Sequence, residues 1–294
     1  MLDKVKLNFQ RIIKQTIYMC GCLFTLITAF TSFVTWEDMD IDIDQRIKIL
    51  IAIIIFSFLL SVVYIVVLKQ NNFIWKSGSG KLQVCYGDII QLGKHRNGKK
   101  QKIIVIPVNT CFDTLVDDDI TQIDKPLISS KSIHGQWLKS LLEDGISLEY
   151  IDSKIDQSIA IHNIQPIRKY TREEKHRGKL NEFSVGTVIP ISIKANITYF
   201  LFALCELDEN NRAQCSEDTF NDGLEHLINC YNDIGQGFEI FIPLMGTGMS
   251  RMNIKHKDML RRMRAIIELN RKKIKGTVNI VIYNQDSDKV SIFD

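Results

Sequence analysis

Residues 240–251, IFIPLMGTGMSR, join an apolar run to two glycines that flank a threonine, and a polar, basic segment follows. The run at 238–244 predicts a buried strand, and residues 253–273 predict a basic amphipathic helix. A glycine-rich loop between a strand and a helix is either an ordinary turn or a loop whose backbone amides hold a phosphate. The loop matches neither the Walker pattern nor the dinucleotide fingerprint. Other motifs in the sequence must therefore distinguish an ordinary turn from a phosphate-binding loop.

Apolar runs and helical patterns alternate on both sides of this loop. Strands are predicted at 81–86, 102–108, 185–193, 197–207, 238–244 and 277–283, and helices at 132–143, 216–235 and 253–273. This alternation predicts an α/β fold whose mixed sheet is flanked by helices on both faces. Ligands bind such sheets at the carboxyl ends of the strands, so the candidate loops follow Val108, Ile193 and Leu244.

Two long uncharged stretches precede this domain, at residues 16–36 and 49–68. Each is long enough to cross a hydrocarbon core of roughly 30 Å as a helix. The alternatives are a buried core helix or, for the first stretch, a cleaved signal peptide. The first stretch is longer than a usual signal sequence, lacks a small-residue cleavage motif and is followed at once by the second. We therefore expect two transmembrane helices.

The charges beside these stretches predict their orientation. Lysine and arginine occur in the N-terminal tail and after the second stretch, whereas the connecting loop is strongly acidic. Positively charged flanks stay in the cytoplasm, so both termini are expected there. The predicted organisation is a cytoplasmic tail (1–15), a two-span hairpin (16–68), a juxtamembrane linker (69–80) and a cytosolic ligand-binding domain (81–294).

The composition argues against several classes of function. Seven cysteines without a C-x-x-C pair predict neither a zinc site nor a disulfide framework. A net charge of +3 is too small to indicate nucleic-acid binding. The acidic run 117–119 reads as a solvated turn, and no serine or cysteine is paired with a nearby base. We therefore predict no metal, no cofactor and no catalytic residue.

Two further motifs accompany the glycine loop. Asp88, in a Gly-Asp dipeptide after the first strand, is suited to accept a hydrogen bond from the amine of a base. Asn109, at the end of the strand 102–108, is suited to a ribose hydroxyl. Ser250 and Arg251 add a hydroxyl and a charge after the glycines. Taken singly, Asp88 and Asn109 have ordinary interpretations as a turn and an Asx turn.

Taken together, Gly-Asp-Ile, a strand that ends in Val-Asn and a late Gly-Thr-Gly loop resemble the macro domain family over roughly residues 82–284. The resemblance implies binding of ADP-ribose or a relative. It places Asp88 and Ile89 at the adenine, Asn109 near the distal ribose and the backbone amides of 245–249 around the diphosphate. The residues expected to bind the ligand are Asp88, Ile89, Asn109, Thr110, Cys111, Phe112, His134, Met245, Gly246, Thr247, Gly248, Met249, Ser250 and Arg251.

The chain departs from the family pattern in two places. The position of the family's second asparagine holds Phe112, and an unrelated segment that includes His134 replaces the usual glycine-rich segment. Hydrolytic macro domains take distal-ribose and water-positioning groups from these segments. The departures therefore favour binding over hydrolysis. For His134, a structural role near a helix start is the alternative to ligand contact.

A macro-like domain preceded by two short-looped spans resembles the transmembrane-macro effectors of type II Thoeris, a bacterial anti-phage system. The resemblance implies a two-pass protein of the bacterial inner membrane and a TIR-domain enzyme that consumes NAD as functional partner. It also implies an ADP-ribose-type second messenger, histidine–ADP-ribose, that drives homo-oligomerisation and disruption of membrane lipid. Two alternatives stay open: a membrane-anchored ADP-ribosyl hydrolase that acts on proteins or esters, and an anchor with a vestigial pocket.

Overall fold

The computed structural model describes residues 1–94, 100–119, 123, 126–207, 213–246 and 254–294. The chain forms two compact units. The first comprises residues 1–70 together with 285–291, and the second comprises 71–284 together with 292–294. The predicted boundary at residue 81 therefore moves to residue 71, and part of the C-terminal segment belongs to the first unit.

The first unit consists mainly of α1 (Leu2–Leu7), α2 (Phe9–Thr31) and α3 (Ile43–Val63), which continues as a π-helical turn (Tyr64–Leu68). Helix α2, and α3 with its π-helical turn, are long and apolar enough to cross a bilayer. The first predicted span is shifted, because α2 begins at Phe9 and ends at Thr31. A turn follows in which the backbone amide of Thr35 donates to the Asp38 carboxylate at 2.8 Å.

Helices α2 and α3 pack through small polar side chains. Ser57 and Ser61, one turn apart on α3, are fully buried, and the Ser61 hydroxyl lies 3.4 Å from the sulfur of Met19 on α2. Small residues at this spacing let two apolar helices approach closely. Many large apolar side chains of both helices are exposed, among them Phe24 and Phe56. A core helix of a soluble domain would bury such side chains.

The second unit contains twelve strands and five helices among the described residues. The strands are β1 (Asn71–Ser77), β2 (Gly80–Gly87), β3 (Lys102–Asn109), β4 (Val116–Asp117), β5 (Ile128–Ser129), β6 (Arg168–Lys169), β7 (Asn181–Glu182), β8 (Val188–Lys194), β9 (Ile197–Leu207), β10 (Ala213–Gln214), β11 (Glu239–Pro243) and β12 (Thr277–Tyr283). The helices are α4 (Ile89–Lys94), α5 (Ile133–Glu143), α6 (Leu148–Ile161), α7 (Glu217–Ile234) and α8 (His256–Leu269).

The main sheet has the order β1-β2-β12-β11-β3-β9-β10, and β8 also pairs with β9. Strands β2, β12, β11, β3 and β9 are parallel, whereas β1, β8 and β10 are antiparallel to their neighbours. On one face, Ile104 and Ile106 of β3 pack with Trp137 and Leu138 of α5. Helices α7 and α8 bury apolar faces of their own, and α7 packs against β9. The predicted mixed sheet between helices is confirmed.

Two predictions about the sheet were wrong. The stretch 69–80 is not simply a linker, because residues 71–77 form β1 and pair with β2. The loop after Ile193 does not lie beside the other candidate loops. Strand β8 turns tightly at Asn196, which has a φ of 61°, and pairs antiparallel with β9. Its carboxyl end therefore lies at the opposite edge of the sheet.

Candidate functional site

Three of the predicted motifs meet at one edge of the sheet. Asp88 follows β2, Met245 and Gly246 follow β11, and Asn109 ends β3. These strands run in the same direction, and only β12 separates β2 from β11. Their carboxyl ends therefore form one continuous edge, with Met245 and Gly246, the described start of the glycine loop, between the other two motifs. This edge is where a sheet with parallel strands binds ligands.

Asp88 is held in place by the helix that follows it. Its Oδ1 accepts hydrogen bonds from the backbone amides of Ile90 at 2.8 Å and Gln91 at 3.3 Å, which caps α4. Ile89 is buried in the core rather than presented to solvent. Gly87 lies against β12, where an added Cβ would be 3.3 Å from Val281. The carboxylate is thus fixed at the strand end.

The glycine loop begins with a turn in the left-handed region. The backbone amide of Leu244 still pairs with the Val281 carbonyl at 2.8 Å, Met245 is buried, and Gly246 has a φ of 85°. Glycine adopts this conformation readily, whereas other residues are strained in it. The other predicted residues of the loop, Thr247, Gly248, Met249, Ser250 and Arg251, lie outside the described residues.

Asn109 is bonded to Asp113 at both ends of its side-chain amide. Its Nδ2 donates to Asp113 Oδ2 at 3.1 Å, and its Oδ1 accepts from the Asp113 backbone amide at 3.1 Å. Asn109 is 8% exposed, and Asp113 is fully buried. The bond to the backbone spans four residues, whereas an Asx turn spans two, so this is a different arrangement from the Asx turn that was the alternative for Asn109. The two bonds orient the amide at the end of β3.

The Asp113 carboxylate is the centre of a buried polar network. It pairs with Lys175 Nζ at 2.8 Å, and its Oδ1 accepts from the backbone amide of Lys179 at 2.6 Å. Gly178 lies so close that an added Cβ would collide with this carboxylate. Lys175 is only 7% exposed, so both charges of the pair are removed from water. Such a charge is tolerated inside a protein only when it is paired and hydrogen-bonded.

The three residues between Asn109 and Asp113 are buried. The Thr110 hydroxyl donates to the Glu182 carboxylate at 3.2 Å. Burial raises the pKa of the Cys111 thiol to about 11, which keeps it protonated and unreactive at neutral pH. Phe112 has a φ of 52°, and its ring meets that of Phe183 edge-on with centroids 5.5 Å apart. An aromatic contact therefore occupies the position of the family's second asparagine.

His134 lies in the first turn of α5 and is 6% exposed. Its ring stacks on Trp137 with centroids 6.1 Å apart. Burial, followed by the positive charge of Lys179, lowers the pKa of His134 to about 3, so the ring is neutral at physiological pH. This is the structural role that was the alternative for His134, and contact with a ligand stays a prediction.

Sequence reasoning missed the hairpin of β6 and β7, residues 168–182, which supplies Lys175 and Glu182 to this region. The Tyr170 hydroxyl donates to Glu182 at 2.8 Å, and the Arg168 guanidinium lies 4.3 Å from the centre of the Tyr170 ring. Arg177 pairs with Asp117 at 2.6 Å. The available signal was the density of basic residues in RKYTREEKHRGKLNE.

The parallel centre of the sheet, the helices on both faces and the three loops at one edge define an α/β ligand-binding domain of the macro type. The family model described as Thoeris protein ThsA, Macro domain, matches residues 82–283. The chain therefore belongs to this family, which confirms the resemblance expected from Asp88, Asn109 and the glycine loop.

The sequence identity to individual relatives is low. The chain is 25% identical over 294 residues to the Thoeris protein ThsA of Bacillus amyloliquefaciens, covering 97% of this chain and 91% of that protein. It is also similar to the solved macrodomain of Oceanobacillus iheyensis with ADP, at 12% identity and a TM-score of 0.46, covering 76% of this chain and 94% of the other. A macrodomain protein from Streptomyces coelicolor matches at 10% identity and a TM-score of 0.33, covering 70% and 98%.

Proposed function

We propose that this chain is a membrane-anchored effector of bacterial anti-phage defence whose macro domain binds an ADP-ribose-type signal. The shared sheet edge carries the proposal, because Asp88, the turn at Gly246 and Asn109 follow three strands that run in the same direction. The family match and the similarity to a Thoeris protein over most of both chains support the defence role.

In this proposal each motif binds one part of the ligand. The Asp88 carboxylate, held by the cap of α4, accepts a hydrogen bond from the adenine amine. The backbone from Met245 onward approaches the diphosphate, which the left-handed turn at Gly246 permits. Asn109 and the buried network behind it form the floor near the distal ribose. Histidine–ADP-ribose is the specific ligand that we propose.

The polar network supports binding rather than hydrolysis. A general base needs an acceptor that is available to a water or a hydroxyl group. The Asp113 carboxylate already accepts from Asn109, Lys175 and the Lys179 amide. His134 is neutral but packed against Trp137 inside the domain. Neither group has the surroundings of a catalytic base, so we propose a sensor and no enzyme.

The two apolar helices support an action at the inner membrane. One pair of helices is too small to line a sizeable pore, so we propose that ligand binding drives assembly of several copies and disruption of lipid packing. A ligand shifts such an equilibrium only if it binds the assembled state more tightly. The signal would come from a TIR-domain enzyme that consumes NAD, as in the family that the sequence resembles.

Titration calorimetry on the full chain in detergent tests the ligand class. The probes are ADP-ribose, histidine–ADP-ribose and NAD, and the informative variant is Asp88→Asn. Asparagine keeps the N-cap of α4 but removes the charged acceptor. We expect affinity to fall about tenfold, or about 1.4 kcal/mol. Asp156→Asn, an exposed change on α6, is the matched control and should bind like the wild type.

Four results would count against parts of the proposal. Absence of binding heat with every ADP-ribose probe would refute the ligand class. Equal affinity of the Asp88→Asn variant would refute the role of Asp88 at the adenine. Release of free ADP-ribose from a conjugate would establish the hydrolase alternative. Light scattering and dye release from liposomes upon ligand addition test assembly and membrane disruption, and an unchanged signal in both would refute that part.

A further inference from the structure

Two cysteines face each other beside the candidate site. Strands β9 and β10 pair antiparallel, with Ala213 opposite Leu207 and Gln214 opposite Glu206. Continuing this register by one residue places Cys215 opposite Cys205. Directly opposed residues of antiparallel strands have Cα atoms about 4.5 or 5.5 Å apart. Both values fall within the range of about 4.4–6.8 Å that a disulfide requires.

The two thiols contact each other and have unequal surroundings. The two side chains lie within interaction distance of each other, and the Cys215 thiol donates to the Ser216 carbonyl at 3.5 Å. Cys205 is 6% exposed, whereas Cys215 is partly exposed and directly precedes Ser216, the N-cap of α7. The interaction between the two thiols lowers the pKa of Cys215, and the same interaction together with burial raises the pKa of Cys205. Proximity to a helix N-terminus also favours a thiolate. Cys215 therefore has the properties of an attacking thiolate, and Cys205 those of a resolving thiol.

We propose that Cys205 and Cys215 form a reversible disulfide, with hydrogen peroxide as the oxidant. The Cys215 thiolate attacks one peroxide oxygen, the O–O bond breaks, and a sulfenic acid and hydroxide form. Cys205 then loses its proton and attacks the Cys215 sulfur, and the S–O bond breaks with loss of a second hydroxide. Both hydroxides end as water. Two thiols and one peroxide thus give one disulfide and two waters, and a cellular dithiol reductant reverses the change.

The other cysteines outside the apolar helices are poorer targets. Burial raises the pKa of the thiols of Cys85, Cys111 and Cys230 to about 11. At neutral pH these thiols stay almost entirely protonated, and the thiolate is the reactive form. A cytoplasmic disulfide is usually transient and redox-sensing, which suits a pair that needs no rearrangement of the strands to close.

The position of the pair links it to the candidate site through the backbone. Cys205 is the partner of Asn109 in the parallel β3–β9 register, and its carbonyl accepts from the Thr110 amide at 3.2 Å. A disulfide at Cys205 would fix the β9–β10 edge next to the end of β3. The disulfide itself forms irrespective of what that site binds.

Peptide mass spectrometry on the full chain in detergent tests the proposal. The reduced protein is treated with an equimolar amount of hydrogen peroxide at neutral pH, alkylated and digested. We expect a Cys205–Cys215 peptide pair that has lost two hydrogens and that dithiothreitol separates. In the Cys205→Ser variant, Cys215 should accumulate as a sulfenic acid that dimedone traps. Cys230→Ser is the matched control and should form the disulfide like the wild type.

If a variant fails to fold, measurements on the wild-type chain alone still test the Cys205–Cys215 disulfide. Iodoacetamide should modify Cys215 at least about tenfold faster than Cys230 at neutral pH. The proposal is overturned if Cys205 and Cys215 both stay open to alkylation after peroxide treatment. It is also overturned if Cys215 pairs with a different cysteine, or if Cys215→Ser leaves the rate of Cys205 oxidation unchanged.

Discussion

Replacing Lys175 by methionine removes the charge that compensates Asp113 while keeping most of the length of the side chain. Asp113 is fully buried, and the Lys175–Asp113 distance is 2.8 Å. Removing one partner of a buried ion pair costs about 3–5 kcal/mol, because the remaining charge is left uncompensated. Asp113 keeps two donors, Asn109 Nδ2 at 3.1 Å and the Lys179 amide at 2.6 Å. We therefore expect a loss near the lower end, about 3 kcal/mol in the free energy of unfolding.

Urea unfolding of the full chain in detergent measures this loss, and the fluorescence of Trp137, buried in α5, reports on the macro domain. With a denaturant dependence of about 2–3 kcal/mol per molar, the midpoint should fall by about 1–1.5 M. The matched control is Lys94→Met, which removes an exposed ion pair with Glu143 at 3.2 Å. That change should cost less than about 1 kcal/mol.

A double-mutant cycle with Asp113→Asn separates the ion pair from general disturbance of the region. If the two charges interact as the geometry requires, the coupling energy should be about 1–3 kcal/mol. A midpoint for Lys175→Met that equals that of Lys94→Met would refute the reasoning. So would strictly additive losses, since they would mean that Lys175 and Asp113 stabilise the domain independently.

Three further changes test other parts of the domain. Burial lowers the pKa of His134 to about 3 in the folded chain. Below about pH 6.5 the unfolded chain therefore binds more protons than the folded chain. The free energy of unfolding should fall by about 2 kcal/mol from pH 7 to 5 as a result. His134→Leu should remove this component and exposed His162→Gln should keep it; equal pH profiles for both variants would contradict the assignment. Gly135→Ala should lower the free energy of unfolding in urea by about 1–3 kcal/mol, because the added Cβ collides with a backbone carbonyl of β5. An unchanged midpoint would show that the backbone shifts to accommodate the methyl group without this cost. Ser216→Ala removes the N-cap of α7 and should cost about 1 kcal/mol, whereas exposed Ser153→Ala should be neutral.

The elements with the strongest local patterns could be predicted from the sequence. The run TVNIVIY predicts a strand at 277–283, and β12 has these bounds, because a continuous β-branched segment suits a strand buried on both faces. Ser216 opens the helical pattern at 216–235 and is a residue type that caps helices, and its hydroxyl accepts from the Thr219 amide at 3.1 Å. In both cases the deciding interactions lie within a few residues along the chain.

The elements that depend on distant partners could not be predicted in this way. Strand β1 has a polar sequence, NNFIWKS, that resembles a linker, and its pairing with β2 makes it an edge strand. Helix α6 was also missed, but for a different reason. Its residues Leu148, Ile151 and Ile155 have helical spacing, so the local pattern that predicts a helix was present. The Asp113–Lys175 pair joins residues 62 positions apart, and no local pattern announces it.

Distance along the chain also explains why Phe112 was interpreted only as the loss of the family's second asparagine. Its φ of 52° is a conformation that asparagine adopts far more readily than phenylalanine, so the residue is strained locally. The strain is offset by burial against Phe183, which lies just after β7. The hairpin of β6 and β7 thus docks beside β3 through an aromatic contact at Phe112 and an ion pair at Asp113. Because the two contacts anchor one hairpin, the losses from Phe183→Ala and Lys175→Met should be less than additive.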